Sequence, residues 1–241
     1  MIGVRQDMHV HSTFSDGRNT IEENVVEAER LGLLELTCVD HVRVDTDWVA
    51  DYVAAVRRVN ATTSVVLSCA VEAKLLDTAG NLDLPSDLTG VDAIYIADHQ
   101  VPLTDGPHTP REIKGLMADG MLSVTDLLEA IVTSTANALR VHCPVVIAHL
   151  FSVLPKLGLS EDDVPQEMLE QLATVTAQTG ARVEVSERWS CPSARTLRPF
   201  LRRGVPLLFS TDSHRNDTIG RYSYCTQILA ELTDAKSPAG V

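Results

Sequence analysis

The stretch Asp7-Met8-His9-Val10-His11-Ser12-Thr13-Phe14-Ser15-Asp16-Gly17 carries two imidazoles on alternate residues and then, after a Ser-Asp-Gly turn, a carboxylate. Alternate residues of a strand point to the same side. His9 and His11 can therefore share one cation, with Asp16 supplying a hard oxygen ligand. A lone His-x-His pair is equally at home on a protein surface, so the rest of the chain decides. Five more motifs follow: Cys38-Val39-Asp40-His41, Cys69-Ala70-Val71-Glu72, Ala97-Asp98-His99, Ile147-Ala148-His149-Leu150 and Ser210-Thr211-Asp212-Ser213-His214. Each closes a short apolar run, and together the motifs hold six of the eight histidines. So many ligand types at the ends of successive strands predict a multinuclear metal site.

The elements that must position these residues are legible as alternating patterns. Seven strand-like runs occur at 4–10, 34–39, 64–71, 93–97, 144–149, 181–186 and 206–210. Amphipathic stretches at 20–31, 47–60, 123–142, 165–179, 193–203 and 222–233 separate or follow them, the first opened by the capping-box pair Thr20 and Glu23. Such alternation leaves an open doubly wound sheet or a closed barrel. In an open sheet only the strands at the switch point carry chemistry, whereas in a barrel every strand end faces one mouth. Six of the seven runs end in a candidate ligand, which predicts an α/β fold, a distorted TIM-like (β/α)7 barrel. No linker, repeat or low-complexity tract divides the 241 residues, so one domain is expected, with a core of about 4–232 and a short C-terminal tail.

The formal charge of −13 argues against a surface that tracks nucleic acid and leaves a small phosphate ester open. Five cysteines without Cys-x-x-Cys spacing read as buried thiols in a reducing compartment. No apolar run is long enough to span a membrane, and no secretory segment precedes the first motif, so a soluble cytoplasmic protein is expected.

The order His-x-His, Asp, His, Glu, His, His, Asp-x-His resembles the polymerase and histidinol phosphatase (PHP) family from Asp7 to His214, nearly the whole chain. The resemblance implies a distorted seven-stranded barrel and three divalent metal ions held by His9, His11, Asp16, His41, Glu72, His99, His149, Asp212 and His214. It groups His9, His11, Glu72 and Asp212 on one ion, Glu72 with His99 and His149 on a second, and Asp16, His41 and His214 on a third. It places Glu72, Asp212 and His214 in the catalytic role. Mixed imidazole and carboxylate ligands suit zinc, manganese or iron. The implied activity is a phosphatase: hydrolysis of a small phosphate monoester by attack of a metal-bridging hydroxide, with no protein nucleophile.

Within that family the alternatives are a histidinol-phosphate phosphatase proper and a nucleotide or oligonucleotide phosphodiesterase. The family's phosphatases commonly carry Glu-x-Asn after the sixth strand, where this chain has Glu184-Val185-Ser186. From other classes come a metal-dependent amidohydrolase, whose barrels usually add a bridging lysine, and a non-catalytic metal-binding barrel. Cationic contacts to a phosphate are expected from Arg188 first, then Arg215, Lys74 and Arg43, all near strand ends. Ser12 and Ser213, beside ligands, are expected to support rather than react. The segment 100–121 is expected to be a flap over the site, with His108 on it exposed, and His142 is expected to be structural.

Overall fold

The computed structural model describes residues 4–234. In chain order its strands are β1 (Gln6–Val10), β2 (Glu35–His41), β3 (Val66–Lys74), β4 (Ala93–Ala97), β5 (Val101–Leu103), β6 (Gly106–His108), β7 (Val145–Ile147), β8 (Arg182–Ser186) and β9 (Leu207–Ser210). Its α-helices are α1 (Ile21–Leu31), α2 (Val49–Asn60), α3 (Pro110–Ala118), α4 (Val124–Val141), α5 (Leu154–Leu157), α6 (Gln166–Thr179), α7 (Ala194–Arg202) and α8 (Tyr224–Asp234). Seven strands form one parallel sheet in the order β1-β2-β3-β4-β7-β8-β9, curled into a nearly closed TIM-like barrel with helices outside. No helix among the described residues is long and apolar enough to cross a membrane.

The local sequence explains the elements. Thr20 caps α1 by accepting from the Glu23 amide at 3.2 Å, while the Glu23 carboxylate accepts from the Thr20 amide at 2.9 Å. Ile21, Val25 and Ala28 then share the buried face of that helix. Strand β4 is buried along its whole length, as expected of a parallel strand covered on both sides. Inside the barrel, Met8, Val39, Ala70, Tyr95, Val146 and Leu208 form one small apolar cluster, and larger clusters fill the space between strands and helices.

Register places the ligand types. Strands β2 and β3 pair without a slip from Glu35 opposite Val66 to His41 opposite Glu72, so two ligand types end as neighbours on adjacent strands. In β1, Asp7 pairs with Leu36 and Val10 with Cys38, so Met8 and His9 together face the single residue Thr37. This bulge turns the strand next to its first histidine, a common use of bulges beside functional sites.

The barrel closes through side chains more than through backbone pairing. Between β1 and the chain after β9 there is one parallel bridge, Val10 with Ser213, with His11 N–H donating to the Ser213 carbonyl at 2.8 Å. Below it the buried Asp7 carboxylate accepts from Thr211 N at 2.9 Å, Thr211 Oγ1 at 2.6 Å and Gly220 N at 3.0 Å. Burial pushes this carboxyl up to about 6, despite those donors.

One expectation is corrected here. The segment 100–121 is not an open flap: it folds as the antiparallel hairpin β5–β6 and then α3. Thr104-Asp105 forms the two-residue turn between Leu103 and its partner Gly106, which sits at φ 133°, and Thr109 caps α3 in a capping box with Glu112 and Pro110 in the first turn. Val101 and Ile113 are fully buried in the main core, which anchors the segment beside α4 and α5. His108 bonds to Asp105 at 2.9 Å within the hairpin, and His142 ends α4, so neither reaches the centre. All five cysteines are free thiols; Cys38, Cys69, Cys191 and Cys225 are buried, and Cys143 is exposed.

Candidate metal centre

All nine ligand-type residues converge at the C-terminal end of the strands, with Glu72 among them. Glu72 is 2 % exposed, and its two oxygens face different histidines. Oε1 stands 2.9 Å from His149 Nε2 and 3.4 Å from His99 Nε2; Oε2 stands 3.0 Å from His41 Nδ1, 3.5 Å from His9 Nε2 and 3.6 Å from His11 Nε2. Asp212 Oδ1 lies 3.1 Å from His11 Nε2 and 3.4 Å from His214 Nδ1. Asp16 completes the set, 3.2 Å from His214 Nε2, 3.5 Å from His11 Nδ1 and 3.6 Å from His41 Nε2.

The clusters overlap more than a division into three separate ligand sets implies. His9, His11 and Asp212 can offer atoms to one point, as can His11, Asp16, His41 and His214, and as can His41, Glu72 and His99. His11 and His41 therefore each belong to two groups. His149 reaches the centre through Glu72. His9, His11 and His149 are completely or almost completely buried, deeper than a rim position.

The backbone around the centre is tightly specified. Gly17 N–H donates to the Ser12 carbonyl at 3.0 Å, and a Cβ on Gly17 would stand 2.6 Å from the carbonyl carbon of His11. Only glycine fits this turn, which carries Asp16 back over His11. His149 and Asp212 both adopt left-handed conformations, φ 27° and 50°, which non-glycine residues rarely do outside functional sites.

A second layer of polar residues holds the first, and most of it was not read from the sequence. Glu184, buried in the apolar strand β8, accepts from His9 Nδ1 at 2.9 Å, from the His149 amide at 2.7 Å and from Ser210 Oγ. The sixth barrel strand, expected to contribute only a substrate contact, thus orients two histidines. Asp98 accepts from Ser152 Oγ at 2.6 Å, and Ser152 Oγ in turn lies 3.0 Å from His149 Nδ1. Asp40 accepts from Ser12 N at 2.9 Å and from Ser12 Oγ at 2.7 Å, and it also binds Ser15, fixing the Asp16 turn. Ser213 accepts from Thr218 Oγ1 at 2.9 Å, so both serines beside ligands serve as supports. Trp189 donates its indole N–H to Asp212 Oδ2 at 2.6 Å and lies tilted against His149, 5.4 Å between ring centroids. A charged residue in the middle of Val183-Glu184-Val185 was the one visible signal for Glu184; nothing local marked Trp189 or Asp7.

Burial and mutual charge set the protonation of this web. Burial alone would raise Glu72, but His9, His149 and His41 outweigh it and hold the carboxyl well below the usual range. Asp212 and Asp16 are likewise lowered, against burial, by His11 and His9 and by His214 and His41. Burial opposes protonation of His9, yet the Glu184 and Glu72 carboxylates raise it well above the imidazole range. His149 is pushed up to about 10, its burial overcome by Asp98 and Glu72. His41 is raised, against burial, by Glu72. Burial lowers His11, and it lowers His99 to about 4.

The donor set fits divalent ions on an independent ground. His9 Nε2, both ring nitrogens of His11 and Asp212 Oδ1 are buried without hydrogen-bond partners. Although 3.1 Å separates His11 Nε2 from Asp212 Oδ1, the angles are not those of a hydrogen bond. Buried polar atoms are rarely left unsatisfied, and these four belong to residues of the predicted ligand set.

The predicted cationic residues divide between two cavities that share Asp16. One of about 530 Å³ is lined by Arg188 and Arg215 beside Asp16, Asp212 and His214. In it Arg188 Nη1 donates to the Asp212 carbonyl at 3.2 Å and to His214 Nδ1, while Arg215 grips Asp217 through both ends of its guanidinium. The other, about 560 Å³, is lined by Arg43 and Lys74 with Phe14, Trp48, His41 and His99; Lys74 pairs with Asp83 at 3.4 Å.

No protein-family model matches the chain, and no curated protein matches it in sequence. Solved structures do match. A candidate histidinol phosphatase, hisK, from Listeria monocytogenes aligns over 92 % of this chain and 99 % of its own, with a TM-score of 0.64 at 14 % identity. A candidate metal-dependent phosphoesterase from Bifidobacterium adolescentis aligns over 97 % of both chains, with a TM-score of 0.47 at 16 % identity. At this identity the first likeness establishes a shared barrel fold.

Proposed function

We propose that this protein is a metal-dependent phosphoesterase of the PHP type, hydrolysing a small phosphate monoester. The observation that carries the reading is the convergence of nine imidazole and carboxylate side chains around Glu72, four of their buried atoms lacking any partner, beside an arginine-lined cavity. The name of the Listeria barrel points the same way.

In this reading His9, His11, Glu72 and Asp212 would hold one ion, Glu72, His99 and His149 a second, and Asp16, His41 and His214 a third. Divalent ions bound there would supply Lewis acidity and lower the pKa of water to near neutrality, to about 7. The chain's own residues do the rest. Glu184 and Asp98 keep His9 and His149 aimed inward, as the outer partners of metal-binding histidines do. Asp212 and His214 form the cavity wall that meets the phosphoryl group, and Arg188, already anchored on both, donates to its oxygens. A carboxylate rather than a lysine at the central position favours phosphoester over amide hydrolysis.

Metal analysis of the purified protein, together with turnover of an aryl phosphate beside amide and lactone substrates, tests the reading. Phosphate release that is lost on chelation and restored by zinc, manganese or iron supports it. Turnover of amide or lactone alone overturns it. A panel including histidinol phosphate, nucleotides and sugar phosphates then narrows the substrate.

A further inference from the structure

The arginine-lined cavity holds more positive charge than one phosphoryl group at a metal centre requires. Besides Arg188 and Arg215 it is lined by Arg18 and Arg221, so four of the chain's 20 lysines and arginines gather at one cavity of a protein with net charge −13. Their engagement differs. Arg188 is tied to Asp212 and His214, and Arg215 is neutralised by Asp217. Arg221 reaches only the edge of Glu27, at 4.0 Å, and that carboxylate is already gripped by Arg30 at 2.6 and 2.7 Å. The Arg18 guanidinium has no ion pair or hydrogen bond among the described residues, while its backbone N–H is pinned to the His214 carbonyl at 2.9 Å. Exposure rises outward along this wall, from 5 % for the Asp212 side chain through 20 % for His214 and 45 % for Arg188 to 59 % for Arg221.

We propose that Arg18 and Arg221 form a second anion subsite at the open side of this cavity, so that the substrate is a phosphate monoester bearing a further phosphate or carboxylate on its leaving group. The inference rests on the phosphoesterase reading. Arg188 serves the scissile phosphoryl group beside Asp212 and His214, and the two uncommitted guanidiniums receive the remote oxyanion. Planar guanidinium pairs suit either oxyanion. Of the three carboxylates on this wall, Asp16 and Asp212 belong to the ligand set at the centre, and Glu187 accepts from the backbone of Ser223, Tyr224 and Cys225 at the start of α8. A leaving group carrying an ammonium ion is disfavoured by the same charges.

Matched substrates test this with the metal-loaded, full-length protein. At low ionic strength kcat/KM should be at least about tenfold higher for 3-phosphoglycerate than for glycerol 3-phosphate, or for fructose 1,6-bisphosphate than for fructose 6-phosphate, one charge-assisted contact being worth about that factor. Which pair shows the larger ratio assigns the second group as carboxylate or phosphate. Phosphoethanolamine should be the poorest of the series. In the Arg18→Gln/Arg221→Gln protein the preference should fall to about one, and in the wild type it should shrink as salt is raised. Equal turnover of charged and neutral members, with an aryl phosphate still hydrolysed, overturns the subsite and leaves the phosphoesterase reading standing. A preference that survives the double substitution also overturns it. Failure to release phosphate from any member removes both.

Discussion

Trp189→Phe isolates a single hydrogen bond to the centre. The indole N–H occupies Asp212 Oδ2 at 2.6 Å and leaves Oδ1, buried and unpartnered, as the atom that faces His11. Phenylalanine keeps much of the ring contact with His149 and removes only the donor and part of the surface. A hydrogen bond to a buried ionised group contributes about 1.5–3 kcal/mol. Asp212 without it can rotate or turn its second oxygen inward, so metal affinity should fall about 10- to 100-fold, since 1.36 kcal/mol is a factor of ten. The assay is competition with a calibrated chelator, read as metal bound at equilibrium, alongside kcat at saturating metal. The chain has two tryptophans, so in a Trp48→Phe background Trp189 emission alone reports loading by paramagnetic manganese. The effect should appear at limiting metal and largely vanish at excess. Metal affinity within twofold of wild type, or emission from Trp189 unmoved by manganese, would refute the claim that this indole positions Asp212.

Three further outcomes follow from the geometry. Glu184→Gln keeps the shape of the side chain but replaces one carboxylate oxygen by N–H₂, so that either the His149 amide or the His9 and Ser210 donors lose their acceptor; metal content and the melting temperature should both drop, by elemental analysis and calorimetry, about 2 kcal/mol in stability. Gly17→Ala forces a Cβ into the His11 backbone and should cut activity at least tenfold, with reduced metal stoichiometry as the check; full stoichiometry would mean that the turn yields. In metal-free protein His149 is raised to about 10 from 6.5, so its stabilising contribution is complete below pH 6.5 and lost as pH rises through about 10. Metal must displace that proton, so loading should release protons at pH 7–8 and tighten as pH rises, measured calorimetrically in buffers of different ionisation enthalpy.

The sequence made the ring of ligand types legible because each is a local event: an apolar run followed by His, Glu or Asp. The seven barrel strands were legible for the same reason, since Val- and Ile-rich runs alternate with amphipathic ones. The bulge at Met8–His9 and the continuation of β3 through Glu72 to Lys74 were not, because they depend on the neighbouring strand. Glu184, Trp189 and Asp7 act on residues 23 or more positions away, on His9, Asp212 and Thr211 respectively, and no local pattern announces such partners. Trp189, 23 residues before Asp212, is the nearest of these cases. The hairpin at 101–108 and the α3 cap were legible in Thr104-Asp105-Gly106 and Thr109-Pro110, but the length of the segment outweighed them.

The seam of the barrel gives the centre a temporal order. His9 and His11 come from the first strand, and Asp212 and His214 follow the last, joined by one backbone bridge and the Asp7 carboxylate. A chain emerging from its N-terminus can assemble most of the sheet before any of these pairs can meet. An ion shared by His11 and Asp212 would then close a loop of about 200 residues, acting as a removable rivet between the two ends of the chain. Metal loading would then report that the barrel has closed, and metal loss would free it to open at its thinnest joint.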